Sequence, residues 1–249
     1  RVQARKQRDQ LRQRKRELEQ HFNSILRRGT DPAKLNPEQL ELVQIIENKG
    51  YSVSTTLLRH LRDNIRYQRG IRERFRSGLV RSGKHLQEIQ RILRQHKLPV
   101  ELSFLPHVES SFDYNAYSKR GAAGIWQFMR GTGRRFLRIN RYVDERLDPL
   151  KATEAAALLM KENFQVLEAW PLAITAFNHG QNGMRRAKRQ FGKDLTNIID
   201  HYKSRIFGFA SKNFYAEFLA AVEIAQKPSQ YFEGLKIDLP LPMDTVVLK

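Results

Sequence analysis

Apolar residues recur at helical spacing along most of the chain. Between residues 84 and 99, one face of a predicted helix collects apolar side chains at intervals of three and four residues: Leu86, Ile89, Ile92 and Leu93. This period matches the about 3.6 residues in each turn of an α-helix. Alternation of apolar and polar residues, which marks a half-buried strand, is confined to the tail "LKIDLPLP". The pattern predicts a mainly α fold.

Capping residues mark the ends of several predicted helices. In "NPEQLELVQIIENKG", Asn36 is placed as the N-cap, a proline takes the first helical position and Gly50 ends the helix. "LDPLKATEAAALLMKENF" starts in the same way with Asp148, and "PLAITAFNHGQNG" ends at Gly180. One irregular loop is expected between the helices, from about residue 110 to residue 127.

The chain is predicted to have three parts. Residues 1–60 form a basic helical N-terminal extension, residues 61–228 form the main helical domain, and residues 229–249 form a C-terminal tail or linker. The arginine-rich helix over residues 1–28 has only a thin apolar stripe, made of Leu11, Leu18, Phe22, Ile25 and Leu26. Most of that helix should therefore be solvated, either as a linker or as an arm that binds an anionic polymer.

Charge and composition narrow the classes of partner. Lys and Arg number 45 against 26 Asp and Glu, a formal net charge of +19, so an anionic partner is expected. Nucleic acid, anionic lipid and an acidic cell-wall glycan all qualify, but nucleic acid is disfavoured because no recognition motif is present. The absence of cysteine excludes a disulfide framework and a cysteine-based zinc site. No stretch approaches the ~20 apolar residues of a membrane span.

Glu109 is the candidate for acid chemistry. It ends the apolar run "LPVELSFLPHVE", and burial raises the pKa of a carboxyl group towards the range that a general acid needs. Taken alone, a glutamate in such a place is more often a satisfied surface residue. The loop that follows favours a site, because Gly121 and Gly124 let a ligand approach the backbone and Gln127 offers an amide. Residues 114–143 contain seven arginines and lysines and no acid.

Four motifs resemble the lytic transglycosylases of the soluble-lytic-transglycosylase superfamily, most closely their membrane-bound murein transglycosylase D type. They are "ES" at 109–110, "GAAGIWQFM" at 121–129, "AFN" at 176–178 and "NFYAEFLAA" at 213–221. The resemblance extends over about residues 60–228. It implies a goose-lysozyme-like helical fold that cleaves the β-1,4 bond between N-acetylmuramic acid and N-acetylglucosamine in peptidoglycan, without metal or cofactor.

The resemblance also implies roles for individual residues. Glu109 would be the sole acid and base: it would protonate the glycosidic oxygen, then assist attack by the muramyl 6-hydroxyl, leaving a 1,6-anhydromuramyl end. Substrate binding would fall to Ser110, Ser118, Gln127, Met129, Phe177, Asn178 and Tyr215. The family usually has tyrosine where this chain has Phe177, so a hydroxyl that would hydrogen-bond the catalytic carboxyl is lost.

The distribution of acids agrees with a single-acid mechanism. Ordinary glycosidases place two carboxylates ~5–5.5 Å or ~6.5–9.5 Å apart. Near Glu109 in sequence, Asp113 is the nearest other acid and is not placed as a dedicated partner. More distant acids could still fold in, with Asp144, Glu145 and Asp148 as the candidates.

Peptidoglycan strands are the partner that the resemblance implies, in the periplasm or cell envelope of a bacterium. We expect a monomer. Since the chain starts at Arg1 rather than Met, any signal peptide or lipid anchor would already be gone, and membrane association through such an anchor stays open. Two alternatives stay open. One is a lysozyme-like or chitinase-like hydrolase that uses Glu109 with water, and the other is a non-catalytic cell-wall-binding protein whose site has degenerated at Phe177.

Overall fold

The computed structural model describes residues 2–65 and 71–242, with side chains from residue 9 onward. It divides the chain into two compact units, residues 1–70 and 71–249. Within the described ranges the regular structure is helical, with isolated β-bridges but no strand, so the predicted mainly α class is confirmed. None of the described helices is long and apolar enough to cross a membrane.

The first unit contains the helices α1 (Val2–Arg28), α2 (Pro37–Asn48) and α3 (Thr55–Asp63). Each of these helices contributes buried side chains to a small core, which consists of Phe22, Ile25, Val43, Ile46 and Leu58. Asn36 caps α2 through a reciprocal capping box with Gln39, as its sequence predicts. The predicted apolar stripe on α1 packs at its C-terminal end, where Phe22 and Ile25 are buried. Residues 9–17 of the same helix are largely exposed.

The second unit contains ten helices in its described residues, 71–242. They are α4 (Arg72–Ser82), α5 (Leu86–Gln95), α6 (Leu105–Glu109), α7 (Arg130–Gly133), α8 (Pro149–Leu167), α9 (Trp170–His179), α10 (Gln181–Phe191), α11 (Leu195–His201), α12 (Phe209–Gln226) and α13 (Pro228–Tyr231). The helix α4 ends at Ser82, and Lys84 and His85 make turn hydrogen bonds before α5 begins. Asp148 caps α8 and Gly180 ends α9, as predicted.

The alanine-rich helix α8 lies at the centre of the second unit and packs against α5 and α9. Ala152, Ala155 and Ala156 are fully buried, and their small side chains let the neighbouring helices approach closely. The indole of Trp126 is also fully buried, and its Nε1 donates a hydrogen bond of 2.9 Å to Thr153 Oγ1. This bond ties the irregular loop to the central helix.

Arg146 holds the irregular loop together from inside. Its side chain is 2 % exposed and forms an ion pair of 2.6 Å with Asp144. The same guanidinium donates hydrogen bonds to the carbonyls of Gly121 at 2.7 Å and Phe128 at 2.9 Å, at the two ends of the motif "GAAGIWQFM". Gly124 has φ of +74° and a Cβ there would lie 1.8 Å from the Arg146 carbonyl oxygen, so only glycine fits.

The end of the described chain lies along α4. The Asp238 N–H donates to the Val80 carbonyl at 3.0 Å, and the Leu241 N–H donates to the Lys84 carbonyl at 3.1 Å. Gly83 permits this approach, because a Cβ would lie 1.9 Å from the Asp238 carbonyl oxygen. Up to residue 242 the predicted tail is therefore packed on the second unit. Residues 243–249 lie outside the described residues, and the boundaries predicted at 60 and 228 stay predictions.

Replacing Arg146 with leucine should lower the free energy of unfolding by about 3–5 kcal/mol, since it strands a mostly buried Asp144 carboxylate and two carbonyls. Denaturant unfolding of the whole chain measures this. The matched control is Arg135→Leu, which removes an ion pair with Glu162 whose side chains are 51% and 38% exposed, and should cost at most about 1 kcal/mol. Equal losses in the two variants would contradict the role given to Arg146.

Candidate active site

Glu109 is the last residue of the short helix α6. The helix forms because Pro106 suits its first turn and because Leu105, Pro106 and His107 are all buried in the core. Glu109 itself is half-buried. In the part of the chain that the structure describes, no hydrogen bond or ion pair engages its carboxylate. The carboxyl group of Glu109 lies at the end of an apolar run, as the sequence predicts. It has no counter-charge among the described residues.

The surroundings of Glu109 favour its protonated form. Burial raises the pKa of its carboxyl to about 8, and the like charge of Glu217 adds to this effect. Burial acts because a charged group loses more hydration than a neutral one when water is excluded. At neutral pH the group is therefore mostly protonated and can donate a proton.

Glu217 is the functional candidate that the sequence analysis missed. It lies on α12, which packs against α6, and it is half-buried at the edge of the face formed by Phe214 and Phe218. The residue stands inside the motif "NFYAEFLAA", but nothing in the sequence says that α12 faces α6. An acid beside two buried phenylalanines on an amphipathic helix is the signal that was available.

The distant acids considered as partners for Glu109 are engaged elsewhere. Asp144 pairs with Arg146, Glu145 accepts a hydrogen bond from the Arg138 N–H, and Asp148 caps α8. Asp113 accepts from the Asn115 N–H in the turn that follows α6. Glu217 is the acid whose charge acts on Glu109.

Four contacts between elements enclose the region of Glu109. Ser110 Oγ donates to the Ile125 carbonyl at 3.0 Å and joins α6 to the loop. The ring of Phe177 lies 5.8 Å from that of Phe128 and joins the loop to α9. Asn178 Oδ1 accepts from Ser211 Oγ at 2.8 Å and joins α9 to α12, which packs against α6. The four predicted motifs thus meet around one site.

The predicted loop residues are placed differently from one another. Gln127 has φ of +49°, and its amide nitrogen donates to the Gly124 carbonyl at 2.8 Å, which leaves the amide oxygen for a ligand. Met129 is 45% exposed and open to a ligand. Ser118 Oγ accepts from the Ala122 N–H at 2.9 Å, so this hydroxyl shapes the loop. Ser110 is 1% exposed, so its contact is with the protein.

The predicted residues on α9 and α12 form the opposite side. Phe177 is half-buried, and its ring packs against that of Trp126, with 6.1 Å between the ring centroids. Asn178 is exposed apart from its bond with Ser211. Tyr215 is half-buried and packs against two apolar clusters of the unit. Their roles with substrate stay predictions.

Two buried histidines, His107 and His179, differ in their hydrogen bonding. Neither ring nitrogen of His107 has a partner in the described part of the chain, and its ring stacks 5.0 Å from Phe75. Burial lowers the pKa of His107 to about 3, so the ring is neutral and acts as a core aromatic. His179 Nε2 lacks a partner among the described residues, but while burial lowers the pKa of this ring, a backbone hydrogen bond with Ile206 opposes that larger effect and raises it. Over the same residues, no group of three metal-ligating side chains occurs.

The carboxyl group of Glu109 should titrate near pH 8 in the free protein when followed by ¹³C NMR. Glu217→Gln should lower this pKa, because a like charge is removed, but leave it above the ordinary 4.5, since burial is the larger cause. Glu223→Gln is the matched control, because this acid lies on the same helix and pairs with Lys227. A wild-type value near 4.5 would contradict the buried environment.

Comparison with known proteins finds a match over the region that contains Glu109. Residues 88–199 match the family described as "Transglycosylase SLT domain". The chain is 34% identical over 110 residues to the membrane-bound lytic murein transglycosylase D of Escherichia coli strain K12, which covers 43% of this chain and 24% of that protein. The same figures hold for the protein of that name in Escherichia coli O6:H1.

A second kind of relative covers more of its own length. The putative tributyltin chloride resistance protein of Alteromonas sp. strain M-1 is 27% identical over 175 residues, which are 68% of this chain and 83% of that protein. By contrast, the chain spans about a quarter of the length of the murein transglycosylases that it matches. The family match contains Glu109, the loop and α9, while Tyr215 and Glu217 lie beyond it. Residues 88–199, less than half of the chain, are thus similar to the transglycosylase SLT domain, whose fold is helical and lysozyme-like.

Proposed function

We propose that this protein is a peptidoglycan lytic transglycosylase of the bacterial periplasm or cell envelope. Its substrate would be the β-1,4 bond between N-acetylmuramic acid and N-acetylglucosamine. The observation that carries the proposal is the half-buried Glu109 carboxyl, which has no counter-charge and a pKa near 8. The similarity of residues 88–199 to the SLT domain supports it, as do relatives named murein transglycosylases. That the protein is a monomer remains an expectation.

The first step would be proton donation. The protonated Glu109 carboxyl gives its proton to the glycosidic oxygen, the bond to the anomeric carbon of the muramyl residue breaks, and the N-acetylglucosamine unit leaves with a free hydroxyl. A pKa near 8 suits this step, since an exposed glutamate would already be ionised at neutral pH.

In the second step the same group would act as a base. The Glu109 carboxylate takes the proton of the muramyl 6-hydroxyl while that oxygen bonds to the anomeric carbon. The product is a 1,6-anhydromuramyl end, Glu109 regains its proton, and no water is consumed. A second carboxylate is not required because the nucleophile is already tethered to the reacting sugar.

The remaining predicted residues would bind and orient the glycan. Met129 and the free amide oxygen of Gln127 would contact it from the loop, and Asn178 and Tyr215 would do so from α9 and α12. Phe177 would contribute an apolar surface. Ser110 and Ser118 would act on the substrate indirectly, since their hydroxyls hold the backbone of the loop.

One observation favours a second function, a lysozyme-like or chitinase-like hydrolase. Glu217 supplies the second carboxylate near Glu109 that ordinary glycosidases use, and it could accept a proton from an attacking water. The products differ, because hydrolysis leaves a reducing end and the intramolecular reaction leaves an anhydro end that is lighter by one water.

Purified sacculi incubated with the wild-type chain should release muropeptides with anhydro ends, identified by mass. Glu109→Gln should reduce the rate at least ~10²–10⁴-fold, because the general acid is lost. Glu101→Gln, which changes an exposed acid on the preceding helical turn, should keep the wild-type rate. Reducing ends would replace the proposal with hydrolysis, and equal rates in wild type and Glu109→Gln would support a non-catalytic wall-binding protein.

Phe177→Tyr should fold normally and keep or raise the rate on sacculi. The family usually has tyrosine at this place, and the ring of Phe177 is only half-buried. The melting temperature and the rate on sacculi are measured together. A clear loss of activity at an unchanged melting temperature would contradict the placement of Phe177 beside the reacting groups.

A further inference from the structure

The backbone that follows Glu109 is strained. Ser111 has φ of +54° and Phe112 has φ of +52°, so two consecutive residues that are not glycine adopt the left-handed conformation. Each such residue costs of order 1–3 kcal/mol, and the arrangement persists only where the surrounding structure determines it. The side chain of Phe112 is fully buried, which offsets part of this cost.

Three residues on one face of α4 contact this turn. Arg81 Nη2 donates to the Ser111 carbonyl at 2.6 Å, and its Nε donates to the Phe112 carbonyl at 3.0 Å. Arg74 Nη2 donates to the Ser110 carbonyl at 3.3 Å. These residues and Gly78 are spaced four and three apart, so they lie on the same side of the helix. The contacts engage three successive carbonyls directly after Glu109.

Gly78 allows the close approach of α4 to the turn. A Cβ at this position would lie 2.7 Å from the Ser111 carbonyl oxygen, a distance at which the turn or the helix must move. The turn also holds α4 in return, since Tyr114 Oη donates to the Arg81 carbonyl at 2.7 Å. Helix and turn are therefore fixed to each other from both directions.

Neither arginine neutralises Glu109. Their hydrogen bonds go to backbone carbonyls, and the charge that acts on the Glu109 carboxyl comes from Glu217. A guanidinium beside the carboxylate would lower the pKa of the acid and spoil a proton donor. The geometry thus separates orientation of the carboxyl, supplied by α4, from its ionisation, set by burial and Glu217.

We propose that Arg81, assisted by Arg74 and Gly78, is a positioning residue that holds the turn Ser110–Phe112 and so fixes where the Glu109 carboxyl points. The inference rests on the proposed function, because it assigns these residues to the orientation of its general acid. It concerns residues that lie outside the segment matched by the family.

Arg81→Ala should lower kcat on a soluble glycan substrate by about 10–100-fold, since a displacement of about 1 Å can cost 10²-fold. KM should change less than about threefold, because α4 is not placed against the substrate. The alkaline limit of the pH profile should stay where it is, since Arg81 does not act on the ionisation of Glu109. Arg81→Lys should recover part of kcat.

Gly78→Ala tests the same idea without a change of charge. Alanine favours a helix interior by roughly 0.5–1 kcal/mol over glycine, so the melting temperature should hold while the added methyl displaces the turn and lowers kcat. Arg76→Ala is the matched control, because this arginine lies on the same helix and has no hydrogen bond or ion pair among the residues described. It should keep the wild-type kcat.

A readout that needs no catalysis separates the two proposals. The ¹³C signal of the Glu109 carboxyl should shift or broaden in Arg81→Ala and Gly78→Ala but not in Arg76→Ala. Wild-type kcat and an unchanged Glu109 signal in both variants would overturn the positioning role. If the wild-type chain releases no product, the proposed function is wrong, and the Glu109 signal alone decides whether α4 orients that carboxyl.

Discussion

The site depends on the burial of one carboxyl group without a counter-charge. The chain has a formal net charge of +19, and two arginines reach the turn beside Glu109, yet these guanidiniums donate to carbonyls instead. Burial of an unpaired charge is costly, so the group responds by holding its proton. The acid stays without a counter-charge in a strongly basic chain because the two nearby guanidiniums are held by hydrogen bonds to backbone carbonyls.

Buried polar contacts position the elements around this acid. Arg146 spans the loop from Gly121 to Phe128, Ser110 ties α6 to the same loop, and Ser211 ties α12 to α9. The contacts of Arg146 with Phe128 and of Ser110 with Ile125 satisfy carbonyls of buried residues, which would otherwise be left unpaired. The loop has little regular structure of its own, and its shape comes from these bonds and from the buried Trp126.

The sequence predicts much of the fold, because its strongest signals are local. The caps at Asn36, Asp148 and Gly180 lie within a few residues of the groups that they satisfy. In the same way, the apolar run before Glu109 predicts the burial of its carboxyl group. Contacts between distant segments leave no such signal. The acid Glu217 and the positioning residue Arg81 act on Glu109 only because α12 and α4 fold against α6.

Hydrogen bonds that compete within a loop are equally hard to predict. The Ser118 hydroxyl accepts backbone N–H groups two and four residues ahead, as serine often does in turns. His107 has two ring nitrogens that could bond, yet aromatic neighbours surround it and neither nitrogen has a partner in the described part of the chain. The Ser118 bonds are local to the turn, whereas the surroundings of His107 are set by tertiary packing.

The contact between the chain end and α4 affects how the protein can be shortened. Cutting after residue 228, where the sequence suggests that the main domain ends, would remove Asp238 and Leu241, whose N–H groups bond the carbonyls of Val80 and Lys84. Those carbonyls lie at the end of the helix that carries Arg81. A fragment intended for enzymology should therefore extend to residue 242, since the segment after α12 supports the helix that faces the general acid.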